Sequence, residues 1–129
     1  MDHPHALLLA QVYSAFNEGK YQIFLDACAE NMTFQIAGKS PLAGKYTKAD
    51  FVSGLANKLT ELSSGTYRLD VHDILASDLH AAVLGTSKVT RHGKTTELRT
   101  VHVWRFDQGK PVAWYEYPRD LYQFDATWA

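Results

Sequence analysis

The sequence predicts an α+β domain in which three N-terminal helices cover one face of a curved antiparallel sheet. Apolar residues recur at helical spacing in the first half of the chain, and after Gly65 they alternate with a period of two. Three short breaks divide residues 66–118 into four candidate strands, and breaks this short join antiparallel neighbours. Helices followed by an antiparallel meander are typical of an α+β architecture.

Three apolar stripes define the helices, with steps of three and four residues that keep the side chains on one half-buried face. In chain order they are Leu9, Val12, Tyr13 and Phe16; Tyr21, Phe24, Leu25 and Cys28; and Phe51, Leu55, Leu59 and Leu62. Gly19 is a left-handed stop after the first helix. We expect Thr47 to cap the third helix, with Asp50 completing a capping box, and residues 63–65 to end it.

Two segments lie between the second and third helices. Met32, Phe34 and Ile36 alternate with Thr33, Gln35 and Ala37, which predicts a strand. The following residues 38–44 (GKSPLAG) are rich in Gly and Pro, which predicts a loop.

The four later strands are separated by residues 77–78, 92–93 and 107–109, and their alternation assigns side chains to faces. In the third of these strands one face carries Leu98, Thr100, His102, Trp104 and Phe106, opposite Glu97, Arg99, Val101, Val103 and Arg105. In the last strand one face carries Val112, Trp114, Glu116 and Pro118, opposite Ala113, Tyr115 and Tyr117.

Composition excludes several classes of protein. A net charge of −1 argues against a general nucleic-acid binder, and no apolar stretch is long enough to span a bilayer. A single cysteine rules out an internal disulfide and a CxxC zinc site. We expect one cytoplasmic domain over residues 1–129. No phosphate-binding glycine loop is present, and no acidic or cysteine set accompanies His72, His80 and His102, so we expect neither cofactor nor metal.

His102 and Glu116 are the strongest candidates for chemistry. If the helices cover the faces that carry Trp104 and Trp114, both groups lie in an aromatic concavity, where burial raises a carboxyl pKa and an imidazole can share its proton. Such a pair can act as a general acid and base. The alternative is that both are satisfied by hydrogen bonds or lie at a sheet edge. Asp120, just after the last strand, fits a turn or cap as well as catalysis.

Four stretches resemble the nuclear-transport-factor-2-like superfamily, in its SnoaL-like and ketosteroid-isomerase-like branch. They are residues 13–21 (YSAFNEGKY), 40–46 (SPLAGKY), 101–110 (VHVWRFDQGK) and 116–120 (EYPRD). The resemblance implies a cone-shaped fold, with a strongly curved sheet around a central cavity. It also implies a homodimer formed through the outer sheet face, with Arg99, Val101, Val103, Tyr115 and Tyr117 as part of the interface.

The resemblance also implies roles for single positions. The base of the ketosteroid isomerases corresponds to Gln35, which cannot abstract a proton. Their oxyanion-stabilising tyrosine falls near Val12, one residue from Tyr13, and their second oxyanion donor corresponds to His102. The acid of the SnoaL-type cyclases corresponds to Glu116 or Asp120. The epoxide hydrolases of the superfamily need an Arg-x-Asp pair that residues 80–89 lack.

Two hypotheses follow. The first is a cofactor-free isomerase or cyclase that moves a proton on a small hydrophobic carbonyl compound, with His102 acting on the oxygen and Glu116 or Asp120 on the carbon-bound proton. Six residues are expected to contact the ligand: Tyr13, Gln35, Phe51, Leu55, Trp104 and Trp114. The alternative is a module without catalytic activity that binds a small ligand or dimerises. The aromatic residues Tyr122, Phe124 and Trp128 form a C-terminal tail that folds over the cavity opening or onto a partner.

Overall fold

A computed structural model describes residues 2–129, which form four helices and a curved, unclosed sheet of six strands. The helices are α1 (Pro4–Asn17), α2 (Tyr21–Ala27), α3 (π-helical Phe51–Ala56 followed by α-helical Asn57–Ser63) and α4 (Leu121–Trp128). The strands are β1 (Thr33–Ile36), β2 (Gly44–Thr47), β3 (Arg68–Ala76), β4 (His80–Arg91), β5 (Lys94–Asp107) and β6 (Lys110–Pro118). The predicted α+β class is confirmed, with a fourth helix in addition to the three expected.

The strand order is β2-β1-β6-β5-β4-β3, and β3 to β6 form the predicted antiparallel meander. The sheet is not wholly antiparallel, because β1 pairs with β6 in parallel, with Phe34 opposite Trp114. A parallel pair needs a long crossover connection, which α3 and the four strands β2 to β5 supply here. This parallel pair adds β1 to the meander, and β2 pairs with β1 as the edge strand.

The start of the third helix differs from the prediction. Gly44–Thr47, placed in a loop and a helix cap by sequence, forms strand β2 beside β1. The helix begins at Phe51, and Thr47 instead closes the turn before it. The Asp50 amide donates to the Thr47 hydroxyl at 3.2 Å, and that hydroxyl donates to the Asp50 carboxylate at 3.0 Å. Thr47 and Asp50 are therefore hydrogen-bonded to each other as expected, but in the turn that precedes the helix.

The C-terminal aromatic residues belong to a helix rather than an extended tail. The Asp120 carboxylate accepts a hydrogen bond from the Gln123 amide at 3.1 Å and caps α4 at its N-terminus. Phe124 and Trp128, one turn apart, are buried in the core of the same chain, and Tyr122 points to solvent. At the C-terminal end of α4, the Arg91 guanidinium donates hydrogen bonds to the carbonyl oxygens of residues 127 and 129.

The core lies between the helices and the inner face of the sheet. Its aromatic centre is Phe51, whose ring centroid lies 4.6 Å from that of Phe34 and 4.8 Å from that of Phe24. Aromatic contacts of this kind contribute about 0.5–1.5 kcal/mol each beyond the area they bury. They hold α2 and α3 against β1. No helix among residues 2–129 has the length and apolar character needed to cross a membrane.

Cys28 makes the stability of this core dependent on pH. Burial raises the pKa of its thiol from 9.0 to about 11, an effect that the nearby Lys48 charge partly offsets, and the thiol donates to the Phe24 carbonyl oxygen. The unfolded thiol ionises above pH 9.0 while the folded one keeps its proton to about pH 11. Stability from this group is therefore complete below that window and is lost as the pH rises through it.

We expect the free energy of unfolding to fall by about 1 kcal/mol more between about pH 8 and pH 10 in the native chain than in Cys28→Ser. Serine keeps a donor for the Phe24 carbonyl oxygen but does not titrate in this range. The pH dependence of the variant therefore measures the contribution of all the other titrating groups. Urea denaturation at a series of pH values measures the difference. Identical pH dependences in the two proteins would contradict the prediction.

Candidate functional site

A cavity of about 60 Å³ lies between the inner face of the sheet and helices α1, α3 and α4. Its wall is mostly apolar and includes seven of the residues expected from sequence: Tyr13, Phe51, Leu55, His102, Trp104, Trp114 and Glu116. This volume exceeds the roughly 15 Å³ that a single water molecule requires, but it is well below the about 150 Å³ of a cavity that binds benzene. A ring-sized ligand therefore requires side chains in the wall to move.

The register of β5 and β6 brings His102 and Glu116 together. The two residues are directly opposite each other on the inner face, and Thr100 lies two positions away on the same face of β5. His102 is 3% exposed and Glu116 is 8% exposed. The alternation of polar and apolar residues predicted this face, and the two tryptophans occupy it as expected.

A continuous chain of buried hydrogen bonds passes through these residues. The Trp104 indole donates to the Tyr13 hydroxyl at 3.0 Å, and that hydroxyl lies 2.6 Å from His102 Nδ1. His102 Nε2 lies 2.9 Å from Glu116 Oε2. The Thr100 hydroxyl donates to the same oxygen, Oε2. Helix α1 is thereby joined to β5 and β6 through side chains alone.

The chain allows two proton arrangements when Glu116 is ionised, because His102 Nε2 then has to donate to it. In the first, His102 is neutral and Nδ1 accepts the Tyr13 proton. In the second, His102 is an imidazolium and donates from Nδ1, so the Tyr13 oxygen accepts two hydrogen bonds and its own proton is free for the cavity. Both ring nitrogens are used in either case. His102 therefore has no ring nitrogen left for a ligand in this geometry, and the catalytic role expected for it from sequence stays a prediction.

Tyr13 is kept as a neutral phenol. Burial raises its pKa far above the ordinary value, and the negative charge of Glu116 adds to the rise, although the hydrogen bond from Trp104 and the nearby Trp114 indole oppose it. A group that keeps its proton donates hydrogen bonds and does not serve as a base. Tyr13 is thus suited to stabilise an oxygen that gains negative charge.

The carboxylate of Glu116 is used unevenly. Oε2 takes both the Thr100 and the His102 hydrogen bonds, whereas no hydrogen bond among residues 2–129 involves Oε1. Glu116 lines the cavity, so the free oxygen is the one a ligand can reach. The protein holds the carboxylate in place through one oxygen and leaves the other open to the cavity.

Two of the residues singled out from sequence lie away from the cavity. Asp120 is exposed and its carboxylate caps α4. This is the turn or cap role that the sequence offered for Asp120 beside catalysis. Gln35 lies on the outer face of the sheet, opposite Tyr115 and Lys45, because its neighbours Phe34 and Ile36 take the inner positions. The alternation of side chains along β1 indicates this outward orientation of Gln35. The family resemblance instead matched Gln35 to a base that contacts the substrate.

Three residues at the site had no role assigned from sequence. Thr100, on the predicted inner face, is not part of the cavity lining but donates to Glu116. Ser87 in β4 and Tyr67 just before β3 both line the cavity. Phe124 and Trp128 line the cavity from α4. Their spacing of four residues after an Asp-x-x-Gln cap was the available signal for a helix.

The described part of the chain holds no group of three or more His, Cys, Asp or Glu side chains arranged to bind a metal ion. His72 and His80 lie outside the cavity, where the ring of His72 contacts the Thr86 hydroxyl. The absence of a metal or cofactor in the functional protein stays a prediction.

Comparison with known proteins places this geometry in a family. Residues 9–114 match the family model of the SnoaL-like domain. The chain is similar in structure to Bal32a from a soil-derived mobile gene cassette, with 22% identity, a TM-score of 0.87, and 96% of this chain and 95% of that chain covered. No curated protein gives a significant sequence match.

Two further solved structures have the same fold. An NTF2-like protein of unknown function from Burkholderia pseudomallei is 24% identical, with a TM-score of 0.83 and 95% of each chain covered. IdmH from Streptomyces antibioticus, proposed to be a polyketide cyclase, is 15% identical, with a TM-score of 0.72 and 91% of this chain and 93% of that chain covered. At these identities the likeness establishes the fold.

Replacing Asp120 tests its role as a cap. Asp120→Ala is expected to lower the free energy of unfolding by about 1 kcal/mol, because the Gln123 amide loses its acceptor. Asp120→Asn keeps a capping oxygen and should unfold close to the native chain, as followed by urea denaturation. Equal destabilisation by the two substitutions would contradict a capping role.

Proposed function

The chain belongs to the SnoaL-like domain family, and from that premise we propose that it moves a proton on a small hydrophobic carbonyl compound without a cofactor, as an isomerase or a cyclase does. One observation carries the proposal: a buried carboxylate, Glu116, has one oxygen fixed by two donors and the other free toward the cavity. A base held this way within reach of a ligand is suited to remove a carbon-bound proton.

In the proposed reaction, Glu116 Oε1 takes a proton from the carbon next to the ligand's carbonyl group. The electron pair of the broken C–H bond becomes a C=C π bond, and the carbonyl π pair moves onto oxygen to give an enolate. An isomerase returns the proton to a different carbon. In a cyclase the enolate carbon attacks a second carbonyl carbon of the same molecule, and the alkoxide formed takes the proton back from Glu116.

Tyr13 is the proposed donor to the enolate oxygen, with His102 as a positioning residue behind it. When His102 is an imidazolium, the Tyr13 proton is free for the ligand. The pair of His102 and Glu116 is then neutral overall. Proton transfer moves the negative charge from Glu116 to the ligand oxygen, so positive His102 is near the charge before and after the step. Such fixed donors are the largest catalytic contribution in many enzymes.

The apolar wall contributes by excluding water. Trp114 lies edge-on to the His102 ring at 4.7 Å, and Trp104 is edge-on to Tyr13 at 6.0 Å. Electrostatic interactions are stronger in this low-dielectric surrounding than in water. Among solved structures of the same fold, IdmH is proposed to be a polyketide cyclase, which supports the reaction class but not a particular substrate.

A ligand-binding role without catalysis is the second candidate, favoured by His102, whose two ring nitrogens are both occupied by side chains of the protein. The substrate class in both candidates is a small apolar molecule. The two differ in whether proton exchange occurs once the molecule is bound. Cytoplasmic localisation stays a prediction from composition.

We also propose a homodimer through the outer face of the sheet. Two cross-strand rows there are apolar: Leu84, Val101 and Tyr117 form one, and Ala82, Val103 and Tyr115 form the other. Leu84 and Tyr117 are 37% and 54% exposed. Aromatic and aliphatic side chains in adjacent rows form a surface that a second copy of the chain can cover.

Substitution of Glu116 tests catalysis. The probe is 2-tetralone, whose C1 protons are activated by the carbonyl group and the ring, and the readout is their exchange with D₂O followed by NMR. Glu116→Gln keeps the size of the side chain but removes the base, so the protein-catalysed rate should fall by about 10²–10⁴-fold. Binding of 2-naphthol, which resembles the enol of 2-tetralone, should be retained.

Glu97→Gln is the matched control, since it removes an exposed carboxylate from the outer face of the same strand pair. It should leave exchange unchanged. No exchange above the buffer rate with the native chain, together with tight 2-naphthol binding, would favour the role without catalysis. Exchange that survives Glu116→Gln would exclude Glu116 as the base.

The dimer is tested by a charge on the outer face. Tyr117→Asp buries a carboxylate in the proposed interface and is expected to convert dimers to monomers in sedimentation velocity. Ile23→Asp introduces the same charge at an exposed position of α2, on the helical side of the sheet, and should leave the dimer intact. A native chain that sediments as a monomer at all concentrations would refute the interface.

A further inference from the structure

Helix α4 meets the loop between β1 and β2 at the edge of the cavity. The helix contributes Phe124 to the cavity wall, and the loop contributes Leu42. Beside them, Asp125 of the helix lies against Gly38 and Lys39 of the loop. We call this meeting of residues 38, 39 and 125 the α4–loop contact. The cavity wall here consists of two separate segments of the chain, so solvent can reach the cavity if the segments part.

One solvent-exposed hydrogen bond joins the two segments within residues 2–129. The Lys39 backbone amide donates to Asp125 Oδ2 at 3.0 Å, and Asp125 forms no ion pair in the same part of the chain. The loop is tied to β2, because the Tyr46 hydroxyl donates to the Leu42 carbonyl oxygen at 2.7 Å. When the segments separate, we therefore expect the loop to stay with the sheet and the helix to move.

The other oxygen of Asp125 makes the α4–loop contact less favourable. Within the described chain, Oδ1 is the one buried side-chain nitrogen or oxygen without a hydrogen-bond partner. It lies so close to Gly38 that a Cβ at this position would be 2.3 Å away, which leaves room for glycine alone. An unpaired buried acceptor costs free energy, and hydration of Oδ1 recovers that cost when the helix moves away.

The other boundaries of the cavity are held more firmly. Continuous backbone pairing joins strands β3 to β6. Helix α1 is tied to the sheet by the buried hydrogen bond between Tyr13 and His102. The C-terminal end of α4 is held by Arg91, which donates to the carbonyl oxygens of residues 127 and 129. The part of the wall that can move with the smallest loss of hydrogen bonds is therefore the middle of α4, at Asp125.

We propose that α4 is a gate, and that ligands enter the cavity through the α4–loop contact as Asp125 moves away from Gly38 and Lys39. Displacement of Phe124 with the helix also gives a ring-sized ligand the volume that the closed cavity of about 60 Å³ lacks. The proposal rests on the proposed function in taking this cavity as the ligand site. It applies equally to a catalyst and to a module that only binds.

A reversible cross-link tests the gate. A Cβ on Gly38 would lie 3.0 Å from Asp125 Cγ, so the two Cβ atoms would be within about 4.5 Å, a separation that a disulfide can bridge. Oxidation of the double variant Gly38→Cys/Asp125→Cys is expected to slow the association of 2-naphthol by about tenfold or more in stopped-flow fluorescence. Reduction should restore the rate. Each single variant should show no dependence on reductant, which controls for the native thiol of Cys28.

Gly38→Ala should have the opposite effect. Its Cβ meets Asp125 Oδ1 only when the gate is closed, so the open state becomes more populated and association should be about fivefold faster than in the native chain. The matched control is Gly19→Ala. Gly19 also has a positive φ, 75° against 103° at Gly38, but a Cβ there meets nothing within 4 Å, so this variant should bind at the native rate.

Equal association rates for the oxidised and reduced double variant would overturn the gate. So would a native rate in Gly38→Ala, a measurement that does not depend on disulfide formation. Either result leaves the proposed function standing as long as the native chain exchanges 2-tetralone. If 2-naphthol does not bind and 2-tetralone is not exchanged, the proposed function fails and the gate fails with it.

Discussion

A buried chain of hydrogen bonds from Trp104 through Tyr13 and His102 to Glu116 is the constraint on which the rest of the structure depends. Every member is in the interior, where a polar group without a partner costs about 1–3 kcal/mol. The chain therefore fixes the rotation of α1 over the sheet and the register of β5 against β6. A slip of one residue would turn His102 or Glu116 to the outer face and break the chain.

The side chains that surround this hydrogen-bond chain determine what chemistry it can support. Proteins of one fold carry many activities, so function has to be argued from the groups on the inner face of the sheet. Here few of the residues that line the cavity are polar, and the others are aliphatic or aromatic side chains that exclude water. Helix α4, which supplies Phe124 and Trp128, makes the wall complete.

Sequence predicted the features that depend on local periodicity. Alternation along β5 and β6 identified the inner face with His102 and Glu116, and the stripe of α1 included Tyr13. The parallel pairing of β1 with β6 was not predictable in this way, because it joins Phe34 to Trp114 across most of the chain. Gln35 was misplaced when a family position was given more weight than the period of its own strand. The role of Tyr13 between His102 and the cavity depends on a tertiary contact that no local pattern encodes.

The parallel pair of β1 and β6 also has a consequence for the order of folding. The meander β3 to β6 is built from hairpins between chain neighbours, whereas β1 meets β6 only after a loop of about 80 residues has closed. Contacts of such high sequence separation slow folding, because loop-closure entropy is lost before any contact is gained. The hydrogen bond from Tyr13 to His102 spans 89 residues and falls in the same late group. We therefore expect the cavity to form last. A ligand that occupies the cavity then binds only those chains that have completed folding.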